Sequence, residues 1–457
     1  MRILKKLQQA LREGKVETST GSELCEMSRI LESAAGIDEV YQAVLKDVTG
    51  DSTSGTGREG LSAERIVRLG IARKRLGLTY RGLAEASSDS LSMRRFLNLK
   101  PGEKLSRSAI HGNLKAVKQE TWGKLNECLI KYACRQGYEN GHSLRGDTTT
   151  VETNIHYPTD ASLLNDCVRV LCRGMGRAVA AGVPLSYTDH RRRAKAKLYR
   201  INNTRTEKKL RPHYLELIRV ARKVLSQAQA ALPAIVAYNC PELDQMLQVM
   251  VCESELKTYI PRAQKVIDQA YRRVVKKESV PAAEKIFSIF EEHTDIIVKG
   301  AREVVFGHKI SVATGKSCLI LKVNVLEGNP KDSNLVPRIL EDHKAIFDAA
   351  PEQAAFDGCF ASTANRDLLK QQGVRELTFS KNLSMKLETL VSSPRIHRRL
   401  LNFRAGIEGC ISFIKRVFSF SRVLDRSKKS FQAALQLGAA ACNLTLLARY
   451  NIARALT

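Results

Sequence analysis

Three acidic residues stand where an acid is costly without a partner. Asp147 lies in Arg145-Gly146-Asp147-Thr148-Thr149-Thr150, inside a run of β-forming residues. An acid in such a strand needs a counter-charge or a metal. Asp357 closes the short apolar run Ala354-Ala355-Phe356, and Gly358 behind it lets the chain turn and another group come close. An acid ending a buried strand is a recurrent site position in open α/β sheets. Glu408 lies between Gly406 and Gly409 in a helical segment. Each glycine inside a helix costs about 1 kcal/mol against alanine, so the pair points to close packing or a close ligand. Carboxylates of this kind suit Mg²⁺ with its waters. Two such ions, roughly 3.5–4 Å apart, are what phosphoryl transfer on nucleic acid uses. Arg404, Glu408 and Lys415 share one helical face, an acid between two cations. Surface salt bridges have the same spacing, and on spacing alone they are the simpler reading.

The charge balance points the same way as the acids. The chain has 457 residues, long enough for two to four domains, and its 43% hydrophobic content excludes a largely disordered protein. Lys and Arg number 74 against 47 Asp and Glu, a net charge of +27, which favours a polyanionic partner, most simply nucleic acid. The excess is concentrated. Residues 191–223 hold 13 Lys and Arg against Glu207 and Glu216 alone. Arg191, Arg192, Arg193, Lys195 and Lys197 lead this run, which reads as a phosphate-contacting surface or as a solvated helical face. Eleven cysteines occur singly, with no CxxC, as expected of reduced thiols in a cytosolic protein. The opening Met1-Arg-Ile-Leu-Lys-Lys-Leu lacks the apolar core of a signal peptide. The stretch 430–448 is uncharged but carries Gln432, Gln436, Asn443 and Thr445, so a buried helix is expected there and no membrane partner.

Elements that could position the acids follow from periodicity and caps. Residues 1–50 read as helices, followed by a linker at 51–57. Between 58 and 140 the sequence predicts a helical domain. Ser62 and Thr79 cap its first two helices, Ser87-Ser88 turns the chain, and Asp89 caps a third with Arg94 and Arg95 on its outer face. This resembles a helix-turn-helix that would place Arg94 and Arg95 in a major groove, although any small helical domain reads alike. A strand over 142–151 leads into a helical block from Asp160 to about Glu292, where Asp160 reads as the cap of a helix starting at Leu163. Strands follow at 295–299, 304–313 and 317–326. Then come a helix at 335–347, a strand at 354–360, a helix at 365–372, a strand at 374–379, and helices at 403–417 and 431–454. Thr314-Gly315-Lys316-Ser317 has the end of a phosphate-loop motif but Ile310 where glycine is required, so it reads as a turn. The whole is an α/β class, a mixed sheet with helices on its faces.

On these residues the chain resembles the DDE transposases of bacterial insertion sequences. The segment Asp147-Thr-Thr-Thr-Val-Glu-Thr-Asn-Ile-His-Tyr-Pro-Thr-Asp160 is similar to their first acidic motif. Ala355-Phe356-Asp357-Gly358 and Arg404-Ala-Gly-Ile-Glu408-Gly-Cys-Ile-Ser-Phe-Ile-Lys415 are similar to the second and third. Members carry Tyr three residues before that Arg; Leu401 stands there here. The resemblance covers roughly residues 60–457 in outline. It implies a ribonuclease H-like sheet with Asp147 on the first strand and Asp357 on the adjacent fourth. Glu408 would come from a helix against the same edge. It further implies a large all-helical insertion (161–292) interrupting a catalytic domain (141–160 and 293–457), behind an N-terminal helical domain. Asp147, Asp357 and Glu408 would bind two Mg²⁺ or Mn²⁺ ions, and Arg404 and Lys415 would contact DNA phosphates. The implied partners are double-stranded DNA, both terminal inverted repeats and target, and further copies of the chain in a homodimer or larger synaptic complex. A DNA-binding protein without chemistry and a metal-dependent nuclease without strand joining are the alternatives.

Overall fold

The computed structural model describes residues 18–50, 60–239, 242–299, 303–380 and 385–457. The basic opening and the linker at 51–57 lie outside the described residues. Helices come first. Helices α1 (Ser19–Ser33) and α2 (Ile37–Thr49) are separated at Gly36, which takes a left-handed conformation that suits glycine. The Ser62 hydroxyl accepts from the Arg65 amide and begins α3 (Ala63–Arg75). Thr79 does the same for α4 (Tyr80–Asp89) through Gly82. The turn suggested by Ser87-Ser88 does not form. Both hydroxyls bond back to the Ala84 carbonyl, so α4 continues through them. Ser90, not Asp89, therefore caps α5 (Leu91–Phe96). Helices α6 (Arg107–Ala116) and α7 (Gln119–Arg135) complete this part.

Strand β1 (Ser143–Glu152) follows, and then four helices: α8 (Asp160–Ala180), α9 (Arg191–Asn202), α10 (Glu207–Ala237) and α11 (Leu243–Ala270). Thr159 rather than Asp160 caps α8, in a capping box with Ser162. Asp160 instead pairs with Arg273 at 2.8 Å and is buried. The chain continues through β2 (Asp295–Lys299), β3 (Glu303–Thr314), β4 (Ile320–Val325), α12 (Val336–Phe347) and β5 (Gln353–Phe356). It ends with α13 (Thr363–Gln371), β6 (Glu376–Phe379), α14 (Pro394–Val417) and α15 (Lys428–Leu456). Strand β5 is shorter than the sequence suggests, because Gly358–Phe360 turns as a single 3₁₀ helix and leaves Asp357 at the strand's tip. Helix α14 starts at Pro394 rather than Phe403, with Ser393 as its cap.

The six strands form one mixed sheet in the order β2-β3-β1-β5-β6, with β4 on β3. Strand β1 is antiparallel to β3 and parallel to β5, and β5 is parallel to β6. This is the expected α/β class with helices on a mixed sheet. The chain divides into two compact units. One holds the described residues up to Asn154 together with Gly307–Thr457, and the other is Ile155–Phe306. The first unit runs across residue 140. The cause is a shared core: Trp122, Leu125 and Leu129 of α7 and Leu69 of α3 are buried with Leu437, Leu444 and Leu447 of α15. Gly70 leaves room in this core, since a Cβ there would crowd both Trp122 and Leu437. Helix α15 has the length and composition of a membrane span, but 78% of its apolar stretch is buried in this unit. Its polar residues are spent inside the fold. Asn443 bonds Asn126 and both backbone groups of Ile320, and Gln436 donates to the Val323 carbonyl.

In the second unit, α8, α10 and α11 enclose a core of Leu164, Val168, Leu171, Leu217, Val224 and Leu256. Helix α11 leaves Leu243, Met246, Leu247, Met250 and Val251 exposed, a stripe along one side of the helix. The ten cysteines among the described residues are free thiols, six of them buried.

Candidate active site

The parallel pairing of β1 with β5 brings the first two acids together. Ser143 stands opposite Gln353 and Gly146 opposite Phe356, a constant offset along the pair. Continuing that register by one residue sets Asp147 beside Asp357. The side chains of Arg145 and Asp147 alternate with Gly146, so they share one face of β1. Gly146 faces the other way, against Phe356 and Ile339. Helix α14 covers the Arg145 side: the Arg145 guanidinium donates to the Phe403 carbonyl and lies over the Phe403 ring. That helix carries Arg404 and Glu408.

One guanidinium gathers all three acids. Arg404 Nη2 lies 3.4 Å from Asp147 Oδ2 and 3.5 Å from Asp357 Oδ1. Its Nη1 lies 2.7 Å from Glu408 Oε1. The two aspartate oxygens touch the same nitrogen, so they are no farther apart than the sum of those two distances. The three acids expected to converge therefore do converge, although they are distant in the chain. Glu408 is the open member, 65% exposed, whereas Arg404 is 13% exposed. The Arg404 Nε is buried with no hydrogen-bond partner.

Neighbours orient the carboxylates. Asp147 Oδ1 accepts from the Thr148 amide at 2.7 Å. Asp357 Oδ1 accepts from the Ser380 hydroxyl, just past β6, at 2.7 Å. Thr148 also donates to Asp332, which pairs with Lys309 at 2.7 Å. Burial pushes the Asp147 carboxyl above the ordinary aspartate range; the Thr148 amide and Arg404 oppose this, and Asp357 and Asp332 add to it. The three carboxylates thus carry more negative charge than Arg404 alone neutralises.

Arg145 forms the floor. It is buried, donates to Thr314 Oγ1 at 2.8 Å and to Cys318 Sγ at 3.0 Å, and lies within 3.5 Å of Cys410 Sγ. Its neighbourhood holds Cys318 well below the ordinary thiol range, chiefly through the Cys410 hydrogen bond and the Arg145 charge. Gly406 makes this possible, since a Cβ there would overlap Arg145 Nη1. Gly409 meets nothing within 4 Å. Only one of the two glycines flanking Glu408 is required by packing.

Among the described residues, no three His, Cys, Asp or Glu side chains are gathered closely enough to hold a metal ion as they stand. The guanidinium of Arg404 lies within 3.5 Å of all three carboxylates. The donor set nonetheless fits Mg²⁺ or Mn²⁺. It consists of hard carboxylate oxygens from three elements, arranged around a cation that is already present.

The remaining residues singled out from sequence fall into two groups. Lys415 lies farther along α14, half-buried. Arg94 does not ride on an outer face: it bonds the carbonyls of Ser87, Lys100 and Glu103, so its fork is occupied within the fold. It thereby ties down the loop after α5, which a helix of six residues cannot do alone. Arg95 is also half-buried. On α9, Arg191 is paired with Asp189 and Lys197 with Glu216. Arg192, Arg193 and Lys195 are exposed and have no carboxylate partner among the described residues. Arg145, Ser380 and Asp332 carried no motif. The signal for Arg145 was the charge itself, set between Leu144 and Gly146 in a β-forming run. Comparison with protein-family models, with curated proteins and with solved structures finds no match.

Proposed function

We propose that the protein is a metal-dependent DNA transposase of the DDE type with a ribonuclease H-like catalytic sheet. In this reading it hydrolyses phosphodiester bonds at the ends of its own element, and the freed 3′-hydroxyl then attacks target DNA in line. The observation that carries the reading is the convergence of Asp147, Asp357 and Glu408 on one cation at the tip of β5. The strand order supports it. An antiparallel β4-β3-β1 set continues into parallel β5 and β6, with the first two acids on adjacent parallel strands. So does the long helical insertion between β1 and β3.

Asp147, Asp357 and Glu408 would hold two Mg²⁺ or Mn²⁺ ions, which supply activation of the attacking oxygen and stabilisation of charge on the leaving one. The chain's own groups do the rest. The Thr148 amide and the Ser380 hydroxyl fix the lone pairs of Asp147 and Asp357 that remain available. Asp147 and Arg404 are mostly shielded from water, which strengthens the attraction between them, while Glu408 stays open to solvent. Arg192, Arg193 and Lys195 supply positive charge for the phosphate backbone. Synapsis of two ends makes a homodimer or larger assembly part of the proposal. No Ser or Tyr nucleophile is required, because the transfer is direct.

A supercoiled plasmid carrying the DNA that flanks the coding region is the substrate for the test. The protein should nick it and join ends to a second plasmid only with Mg²⁺ or Mn²⁺. Asp357→Ala and Asp147→Ala should retain binding in a gel shift and lose both products. Strand transfer by the Asp357→Ala protein would refute the assignment. Binding with no nicking in either metal would favour a DNA-binding protein without chemistry.

A further inference from the structure

The cation at the centre of the acid cluster belongs to the chain itself. Arg404 is nearly enclosed, and its two terminal nitrogens are shared among three carboxylates. Two of those contacts, at 3.4 and 3.5 Å, are too long for the paired fork that arginine makes with a single carboxylate. Only Glu408, at 2.7 Å, is bonded closely. The buried Nε gains no partner at all. A guanidinium with one close and two long carboxylate contacts, and one donor unsatisfied, is poised to exchange them for a better anion. It also stands where the carboxylates would have to draw in around an ion, since Mg²⁺ takes oxygen ligands at about 2.1 Å. With the guanidinium among them, the acids do not form a ready metal-ion cluster among the described residues.

We propose that Arg404 is a resting-state substitute for the metal, and that a DNA phosphate draws it off the acids and so opens the site to Mg²⁺. This rests on the transposase reading and adds to it a control on metal loading. A planar guanidinium suits a phosphate well, because its donors match two phosphate oxygens at once. Exchange of three shared carboxylates for one phosphate fork satisfies the Nε as well. The acids then lose the cation that stood among them and gain affinity for a divalent one. By linkage, DNA raises metal affinity and metal raises DNA affinity by the same factor. A protein of this kind keeps its cleavage centre unloaded until an end is bound, which limits stray nicking.

The test measures Mn²⁺ binding rather than catalysis. Free Mn²⁺ is followed by electron paramagnetic resonance with the full-length protein, with and without a short duplex. The Asp147→Asn/Asp357→Asn protein with the same duplex provides the background of ions held by DNA. Without DNA, Arg404→Gln should bind Mn²⁺ at least about ten-fold more tightly than the wild type, and Arg404→Lys should stay near it. The wild type should gain a similar factor when the duplex is added, an arm that needs no arginine variant. Equal affinity in wild type and Arg404→Gln, with no gain on adding DNA, would overturn the gating while leaving the acid site intact. No binding above the Asp147→Asn/Asp357→Asn background, with or without DNA, would overturn both the gating and the transposase reading.

Discussion

Alanine at Gly406 and alanine at Gly409 should change stability in opposite directions. Both lie in α14, three residues apart, and sequence treats them alike. An alanine in a helix interior gains about 0.5–1 kcal/mol over glycine. At Gly409 nothing lies within 4 Å of the added Cβ, so the full gain should appear. At Gly406 the Cβ would fall well inside van der Waals contact with Arg145 Nη1. The end of an arginine side chain usually yields cheaply. This one is pinned by Thr314 Oγ1, the Phe403 carbonyl and Cys318, over the Phe403 ring. Moving it breaks at least one buried charge-assisted hydrogen bond, worth about 1.5–3 kcal/mol, and overpacks the floor of the site. After the helix gain is subtracted, Gly406→Ala should destabilise by about 0.5–2.5 kcal/mol, with any overpacking added to that. Urea unfolding followed by the fluorescence of Trp122 reads this directly, because the sole tryptophan is buried in the same unit. Coupling to Arg145 is checked in a double-mutant cycle, where Gly406→Ala should cost nothing extra in an Arg145→Met background. A midpoint for Gly406→Ala raised as far as that of Gly409→Ala would refute the argument.

Two further outcomes are expected. Lys74 is buried in α3, and burial lowers its amine to about 8 despite the nearby Asp425. The unfolded chain, with an ordinary lysine near 10.4, then binds more protons than the folded one between those values, so stability should rise with pH across that window. Against Lys74→Met, wild-type unfolding free energy should gain about 3 kcal/mol from about pH 8 to about 10.5; a difference independent of pH would contradict the burial argument. For duplex DNA, replacing Arg192, Arg193 and Lys195 together by Gln should flatten the dependence of log K on log salt by about 0.9 for each phosphate that is no longer neutralised. Arg191→Gln, which only frees Asp189, should change the slope less. An unchanged slope in the triple variant would show that α9 does not touch the backbone.

Much of the scaffold was legible because its signals are local. Ser62 and Thr79 cap their helices through amides three residues away, and such contacts leave a mark in the sequence. The Thr-rich β1 stands where its composition puts it, and the strand before Asp357 is present but ends at Phe356. Errors arose where two local readings competed. Asp89 and Ser90 are both good caps, and the choice between them depended on whether α4 could run through Ser87 and Ser88. Asp160 is drawn instead into a pair with Arg273, far along the chain, and Thr159 caps the helix.

The sequence by itself determined which residue types were available: acids at 147, 357 and 408, a helical spacing that ties Arg404 to Glu408, and a large excess of positive charge. That spacing predicted a salt bridge, and the bridge is present. Only the tertiary structure decided that the same guanidinium also faces Asp147 and Asp357, or that Arg94 is consumed by backbone carbonyls while Arg192 and Arg193 stand exposed. A helix repeats every 3.6 residues, so neighbours along it can be read from spacing. Which strand lies beside β1, and which helix covers it, depends on the register of a parallel pair and on the burial of faces hundreds of residues apart. No short-range pattern encodes either.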